Sequence, residues 1–176
     1  RMIASSRAAM CRSFDRVICL VLLVVGMTRA AGQGANRDDL NGHLWQACHD
    51  GDLAQAMEWL AKGADPNAQS AQWSEETPLL AAVWSGKSEV VGELLRRGAD
   101  PNQSDANGWT PLHHAALHWN RGDGEIALKA LLGAGAEVDR KDGNGRSPLA
   151  FAAEHGLEAM NPLLAKGAKA DSFALI

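Results

Sequence analysis

Three histidines in one short stretch have the spacing that first suggests chemistry. His114 and His118 are four residues apart, so on a helix both imidazoles would lie on one side and could share a metal ion. His113 is adjacent to them. The sequence fixes no third ligand. A metal-binding protein or metal-dependent enzyme built on His114 and His118 is therefore the alternative hypothesis, and the preferred prediction includes neither a metal nor any other cofactor.

Other catalytic patterns are missing from the sequence. It contains no G-x-S-x-G motif, and no glycine-rich loop follows a predicted strand. Glu75 and Glu76 are adjacent in a predicted loop, where carboxylates more often face solvent than catalyse. We therefore predict that the protein is not an enzyme.

The first thirty residues differ from the rest of the chain. Arg1, Arg7, Arg12 and Arg16 precede an apolar run over residues 17–27, and small residues follow around Ala30. This order is typical of a secretory signal peptide, and the run is shorter than the roughly 20 residues that span a bilayer. We predict a signal peptide over 1–30 and a periplasmic location, with no membrane contact after cleavage. An uncleaved anchor is the alternative.

Charge and cysteine content limit the partners. Residues 1–30 contain five of the 17 basic and one of the 21 acidic side chains, so the remainder holds 12 basic and 20 acidic ones, a formal charge of −8. Such a surface disfavours nucleic acid and favours a protein with a basic surface. Cys48 is the only cysteine after residue 30, so no internal disulfide can form there.

Two phrases recur along the chain after residue 44. Thr77-Pro78-Leu79 and Thr110-Pro111-Leu112 begin 33 residues apart, and Ser147-Pro148-Leu149 begins 37 residues later. A closing phrase of the type Gly-Ala-Asp begins at four positions: Gly63, Gly98, Gly135 and Gly167. Four closing phrases predict four units, a regularity that indicates a repeat architecture.

Each phrase has a physical role in a pair of helices. Thr or Ser before Pro predicts a helix start, because the hydroxyl can cap free N–H groups and Pro suits the first helical position. Gly51, Gly86 and Gly156 fall where a first helix must end in a left-handed residue. Leucine pairs such as Leu94-Leu95 are the predicted buried part of each second helix.

A unit of about 33 residues with these phrases resembles the ankyrin repeat. The resemblance implies an all-α solenoid of about four helix-pair repeats joined by hairpin loops. The predicted repeat domain covers 44–176, with a flexible lead-in over 31–43. Its repeats are expected at about 44–69, 70–103, 104–141 and 142–176.

Two units depart from the repeat pattern. In the third, Trp119 replaces the helix-ending glycine, and four extra residues predict a loop between its helices. In the last, Asn161-Pro162 is expected to interrupt the second helix.

The resemblance also implies a binding surface, because ankyrin repeats bind partners through hairpin tips and the exposed ends of first helices. Tryptophan is enriched in binding hot spots, and four of the six fall on these positions. We expect them to form an exposed stripe. The predicted partner-binding residues are Trp73, Glu76, Trp84, Asn107, Trp109, Leu117, His118, Trp119, Arg146 and His155.

The predicted function is that of an exported module which neutralises, shields or assists one protein partner and is a monomer when free. Small exported bacterial ankyrin proteins, which the chain resembles, are associated with toxin immunity and with support of oxidative-stress defence such as catalase. An acidic groove would suit occlusion of a basic active site, which favours immunity.

Overall fold

The computed structural model describes residues 37–69 and 75–170, which lie in the compact unit Arg37–Ile176. The predicted signal peptide, residues 31–36 of the lead-in and Trp73 lie outside the described residues. None of the helices in the described ranges is both long enough and apolar enough to cross a membrane.

Four helix pairs follow one another in this part of the chain. They are α1 Arg37–Asp50 with α2 Leu53–Ala61, α3 Pro78–Trp84 with α4 Ser88–Arg96, α5 Pro111–Leu117 with α6 Gly124–Gly133, and α7 Pro148–Ala153 with α8 Leu157–Ala165. First helices pack on neighbouring first helices and second helices on second helices. This is the predicted all-α solenoid, and we refer to the pairs as repeats 1 to 4.

The core is a column of equivalent leucines. Leu44, Leu79, Leu112 and Leu149 occupy the same position in the four first helices, and each is at most 1% exposed. Leu94, Leu131 and Leu163 do the same in the second helices. Truncating one such leucine to alanine typically costs about 2–5 kcal/mol, so this column carries much of the stability.

The predicted start and stop signals act as expected in most places. Thr77 accepts a hydrogen bond from the N–H of Leu80 at the start of α3. Gly51, Gly86 and Gly156 have φ values of 74°, 69° and 85°, the left-handed region that L side chains avoid.

Two boundaries differ from the sequence predictions. The flexible lead-in does not extend to residue 43, because α1 begins at Arg37 and buries Leu40. Asp38 and Asp39 lie in its first turn, where carboxylates interact favourably with the helix dipole. The second helix of repeat 4 is also not interrupted, since α8 continues through Pro162. Proline there removes one N–H donor, and packing of the buried Leu163 keeps the helix together.

A ladder of side-chain hydrogen bonds joins successive closing loops. The amide oxygen of Asn67 accepts from the N–H of Asp100 at 2.7 Å, and that of Asn102 accepts from Glu137 at 2.7 Å. Asp139 repeats the contact with the N–H of Lys169. At the start of the ladder the amide oxygen of Asn41 in α1 accepts from the N–H of Asp65, and no repeat precedes repeat 1 within the described residues. The stacking of repeats is thus fixed by polar contacts as well as by the leucine column.

Candidate binding surface

The predicted binding residues fall largely on one side of the repeats, which we call the groove face. It consists of the exposed ends of the first helices and the residues just before each Thr/Ser-Pro start. Ring contacts connect neighbouring repeats across it. Its members are Trp45, His49, Glu76, Trp84, Asp105, Trp109, His114, Leu117, His118, Arg146 and His155.

Trp84 is the exposed aromatic of the groove face. It is 42% exposed at the end of α3. The ring of His118 meets it edge-on, with centroids 4.5 Å apart. The guanidinium carbon of Arg121 lies 5.2 Å from the ring centroid, a cation–π distance. Trp84 is therefore oriented by neighbours from repeat 3 and still has surface free for a partner.

The extra residues of repeat 3 explain how Arg121 reaches repeat 2. The loop between α5 and α6 folds back so that the N–H of Asp123 donates to the carbonyl of Gly86 at 3.2 Å. The hydroxyl of Ser88 donates to the Asp123 carboxylate at 2.9 Å. A Cβ on Gly122 would lie 2.8 Å from the Gly86 oxygen, so glycine permits this approach. The inserted loop is a clasp between repeats 2 and 3.

The same loop also contacts repeat 4. The amide of Asn120 lies 3.4 Å from Nδ1 of His155. Nε2 of His155 donates to the carbonyl of Leu117 at 2.6 Å. The loop between α5 and α6 of repeat 3 thus fixes the ring of His155, a predicted binding residue. The remaining exposed surface of His155 is part of the groove face.

Glu76, His114 and Asp105 form the acidic end of the groove face. His114 is 8% exposed, and its Nε2 lies 3.5 Å from the Asp105 carboxylate. Burial pushes the pKa of Asp105 up, but hydrogen bonds from His114 and from the N–H groups of Trp109 and Asn107 outweigh it and leave this pKa lowered. Asp105 is therefore ionised in a nearly buried position.

Glu76 has the opposite behaviour. Burial raises its pKa, which the charges of His114 and His49 and a hydrogen bond from Trp45 only partly offset, while Asp105 adds to the rise. The carboxylate is half-buried. It is thus an incompletely compensated charge on the groove face.

The tryptophan stripe is less exposed than predicted. Trp109 is half-buried against Phe151 at 4.7 Å and His114 at 5.1 Å between ring centroids, and Trp119 packs against the core. Among the three tryptophans of the stripe that the structure describes, Trp84 alone is exposed. Phe151 and Arg146 of the next repeat cover part of the Trp109 ring, a contact that a single unit's sequence does not show.

Arg146 also takes part in the fold. Its guanidinium pairs with the buried Asp142 at 3.2 Å and lies 4.3 Å from the Phe151 ring centroid. Little of the Arg146 side chain is therefore left to contact a partner.

Two further predicted binding residues differ in exposure. Asn107 is exposed at a hairpin tip, where its carbonyl accepts a hydrogen bond from the N–H of Gly143. Leu117 is half-buried against the core.

His113 has the structural role that the repeat resemblance implies. Its Nδ1 accepts from the N–H of Thr110 at 3.1 Å, and its Nε2 donates to the carbonyl of Arg146 at 3.2 Å. These contacts place the proton on Nε2 and tie the start of α5 to the next hairpin. Burial lowers the pKa of His113, which keeps the ring neutral.

The metal alternative gains no support from the geometry. The rings of His114 and His118 are 6.4 Å apart, and no group of three or more His, Cys, Asp or Glu side chains in the described ranges could hold a metal ion. Cys48 is fully buried, and burial raises the pKa of its thiol to about 12, so it is not a thiolate ligand or nucleophile at neutral pH.

A comparison with protein families decides the class of this repeat. A model for ankyrin repeats in three copies matches residues 44–142, more than half of the chain. The chain belongs to the ankyrin-repeat family. Ankyrin repeats are protein-interaction modules.

The curated relatives match only part of the chain. The chain is 39% identical over 74 residues to the human Arf-GAP with coiled-coil, ANK repeat and PH domain-containing protein 2, which covers 42% of the chain and 10% of that protein. It is 38% identical over 92 residues to the mouse 2-5A-dependent ribonuclease, covering 52% of the chain and 12% of the relative. It is 41% identical over 69 residues to mouse protein phosphatase 1 regulatory subunit 12A, covering 39% and 6%. The chain thus spans about a tenth of these proteins or less, and all three are mammalian.

Sequence reasoning missed Asp105 and Arg121. Asp105 carried a usable signal, because Asp142 stands at the same place before the next hairpin and each accepts hydrogen bonds from two N–H groups of its own tip. Arg121 carried none, because its contact with Trp84 depends on how the inserted loop folds back.

Proposed function

We propose that this ankyrin-repeat protein is an exported module that binds one protein partner through the groove face and neutralises, shields or assists it. The exposed Trp84 carries the proposal. It presents a large apolar surface, held by His118 and Arg121, at the position where this family binds partners. A pre-oriented tryptophan loses little entropy on binding, which is why such residues are frequent hot spots.

Charge supports a partner with a basic surface. The chain after residue 30 has a formal charge of −8, and the groove face carries the ionised Asp105 and the half-buried Glu76. An acidic concave surface could cover a basic active site, which favours toxin immunity over support of stress defence. The same charge balance disfavours nucleic acid.

Export rests on the residues before the repeats. A basic start, an apolar run over 17–27 and small residues near Ala30 support a signal peptide and a periplasmic location. We expect mass spectrometry of the protein from its native source to find an N-terminus near Ala31. A retained N-terminal segment would contradict cleavage. Sedimentation of the cleaved protein should give a monomer.

Trp84→Ala tests the groove. The partner is first identified by affinity capture from the native periplasm and then purified. We expect Trp84→Ala to weaken its binding by about 30-fold, because truncating a hot-spot tryptophan costs ~2 kcal/mol or more. Ile126→Ala is the matched control, since Ile126 is 57% exposed on α6, a second helix that does not contribute to the groove face. Unchanged affinity in a folded Trp84→Ala protein would show that the groove assignment is wrong.

A further inference from the structure

Glu76 is a carboxylate whose surroundings leave it without a cationic side chain. It lies just before α3, half-buried, and none of the ion pairs formed by lysine or arginine within residues 37–69 and 75–170 includes it. The ionisable side chains that act on it are His114, Asp105 and His49, and a histidine carries charge only when it is protonated. A partly desolvated carboxylate with so little compensation is costly unless a further cation approaches it.

The nearly buried His114, which acts on Glu76, also has an unsatisfied hydrogen-bonding atom. The side chain of His114 is 10% exposed, and its Nδ1 has no hydrogen-bond partner among the described residues. On its other side, Nε2 faces Asp105, which adds a second negative charge behind the ring. The local field at this end of the groove face therefore favours a positive group.

A flat aromatic surface adjoins the same carboxylate. The rings of Trp45 and His49 are stacked, with centroids 5.1 Å apart and planes inclined by 18°. His49 is 42% exposed, so part of this stack faces solvent. Both residues act on Glu76: Trp45 through a hydrogen bond, and His49 through its charge when the ring is protonated. A guanidinium is planar, binds carboxylates through two parallel N–H groups and stacks on aromatic rings.

We propose that the groove face receives an arginine side chain of the protein partner at Glu76, with its guanidinium on the carboxylate and against the Trp45–His49 stack. This rests on the proposed protein-binding function and names the chemistry of the anchor. Lysine is a poorer fit, because its ammonium cannot form the two parallel bonds or stack as a plane. Arg146 of this molecule already combines the two contacts, since its guanidinium pairs with the Asp142 carboxylate at 3.2 Å and lies 4.3 Å from the Phe151 ring centroid.

Short peptides test the anchor without the natural partner. Acetyl-Gly-Arg-Gly-amide is titrated into the protein and followed by the NMR signal of the Trp45 indole N–H, with the lysine and the uncharged citrulline peptides in parallel. We expect saturable binding of the arginine peptide with a Kd on the order of millimolar, and at least about tenfold weaker binding of the citrulline peptide. The lysine peptide should fall between them.

Two variants locate the contact. Glu76→Gln keeps the shape of the side chain and should weaken the arginine peptide about tenfold or more. Glu154→Gln removes one charge at an exposed position of repeat 4 on the same side and should leave the affinity unchanged. Equal binding of the arginine and citrulline peptides, equal effects of the two variants, or no saturable binding at tens of millimolar would each overturn the anchor.

The outcome separates this inference from the proposed function. If Trp84→Ala weakens the purified partner but Glu76→Gln leaves the arginine peptide unaffected, the groove stands and the arginine anchor fails. If Glu76→Gln weakens the arginine peptide while Trp84→Ala leaves the partner's affinity intact, the anchor stands and the Trp84-centred groove is wrong.

Discussion

Repeats 2 and 3 begin with the same Thr-Pro-Leu phrase and bury different chemistry behind it. In repeat 2 the next residues are Leu80 and Ala81, and both are at most 1% exposed. In repeat 3 they are His113 and His114, at 0% and 8%. The turn after the first helix is short in repeat 2 and contains the inserted loop in repeat 3. The same first-helix backbone can thus bury either apolar or polar side chains at these two positions.

The difference shows what a polar interior requires. Leu80 needs only apolar neighbours, whereas His113 needs the N–H of Thr110 and the carbonyl of Arg146 in the following hairpin. Repeat 3 is therefore more dependent on its neighbours than repeat 2. Its clasp to Gly86 increases that dependence.

The largest effect is expected from Gly124→Ala. A Cβ there would meet the carbonyl oxygens of His118 and Trp119, the latter at 2.7 Å, and backbone atoms cannot move away cheaply. We expect a loss of about 3 kcal/mol in the free energy of unfolding, measured by urea denaturation. Gly133→Ala, at the other end of α6 with no atom within 4 Å of its Cβ, is the control and should be neutral or stabilising. Equal effects of the two variants would contradict the close packing of the end of α5 against the start of α6.

A smaller effect is expected when His113 is replaced by the residue of repeat 2. His113→Leu should cost about 2 kcal/mol, because a buried N–H at Thr110 and the carbonyl of Arg146 lose their partner. Calorimetric unfolding measures it. Leu79→Met, a volume-conserving change in the leucine column, is the control and should cost less than about 1.5 kcal/mol. If His113→Leu were as stable as wild type, the two interiors would be interchangeable.

The smallest expected effect is a pH dependence of the free energy of unfolding, which His118 of repeat 3 contributes. Burial, followed by the charges of Arg121, His114 and His155, lowers the pKa of His118 from 6.5 to about 4. Between these values the unfolded chain binds more protons, so the free energy of unfolding should fall as the pH decreases from about 6.5 to 4. His118→Gln should remove part of this slope in urea titrations at several pH values. A constant difference between wild type and His118→Gln across that range would contradict it.

Much of the fold could be predicted because its signals are local. Thr77 and Pro78 start α3, and Gly86 ends the turn after it, through contacts within a few residues of the chain. The leucine column follows from the spacing of Leu79, Leu112 and their equivalents. The start of α1 at Arg37 was missed, because no Thr-Pro phrase marks it and its stability comes from packing on α3.

The candidate site was predicted by position and only partly by exposure. Trp84 and Trp109 both lie on predicted binding positions, yet Trp84 is exposed and Trp109 is covered by Phe151 and Arg146 of the next repeat. Likewise, Glu76 acquires its character from Trp45 and His49 in repeat 1 and from His114 in repeat 3.

The sequence by itself determined the ankyrin repeat, the helix starts at Thr/Ser-Pro, the glycine-ended turns and the buried leucines, because caps, turns and periodicity act over a few residues. Only the tertiary structure decided which of the described tryptophans is exposed, where Arg121 lies and how Glu76 is compensated. Those properties depend on contacts between residues of neighbouring repeats, and stacking of complete repeats creates them.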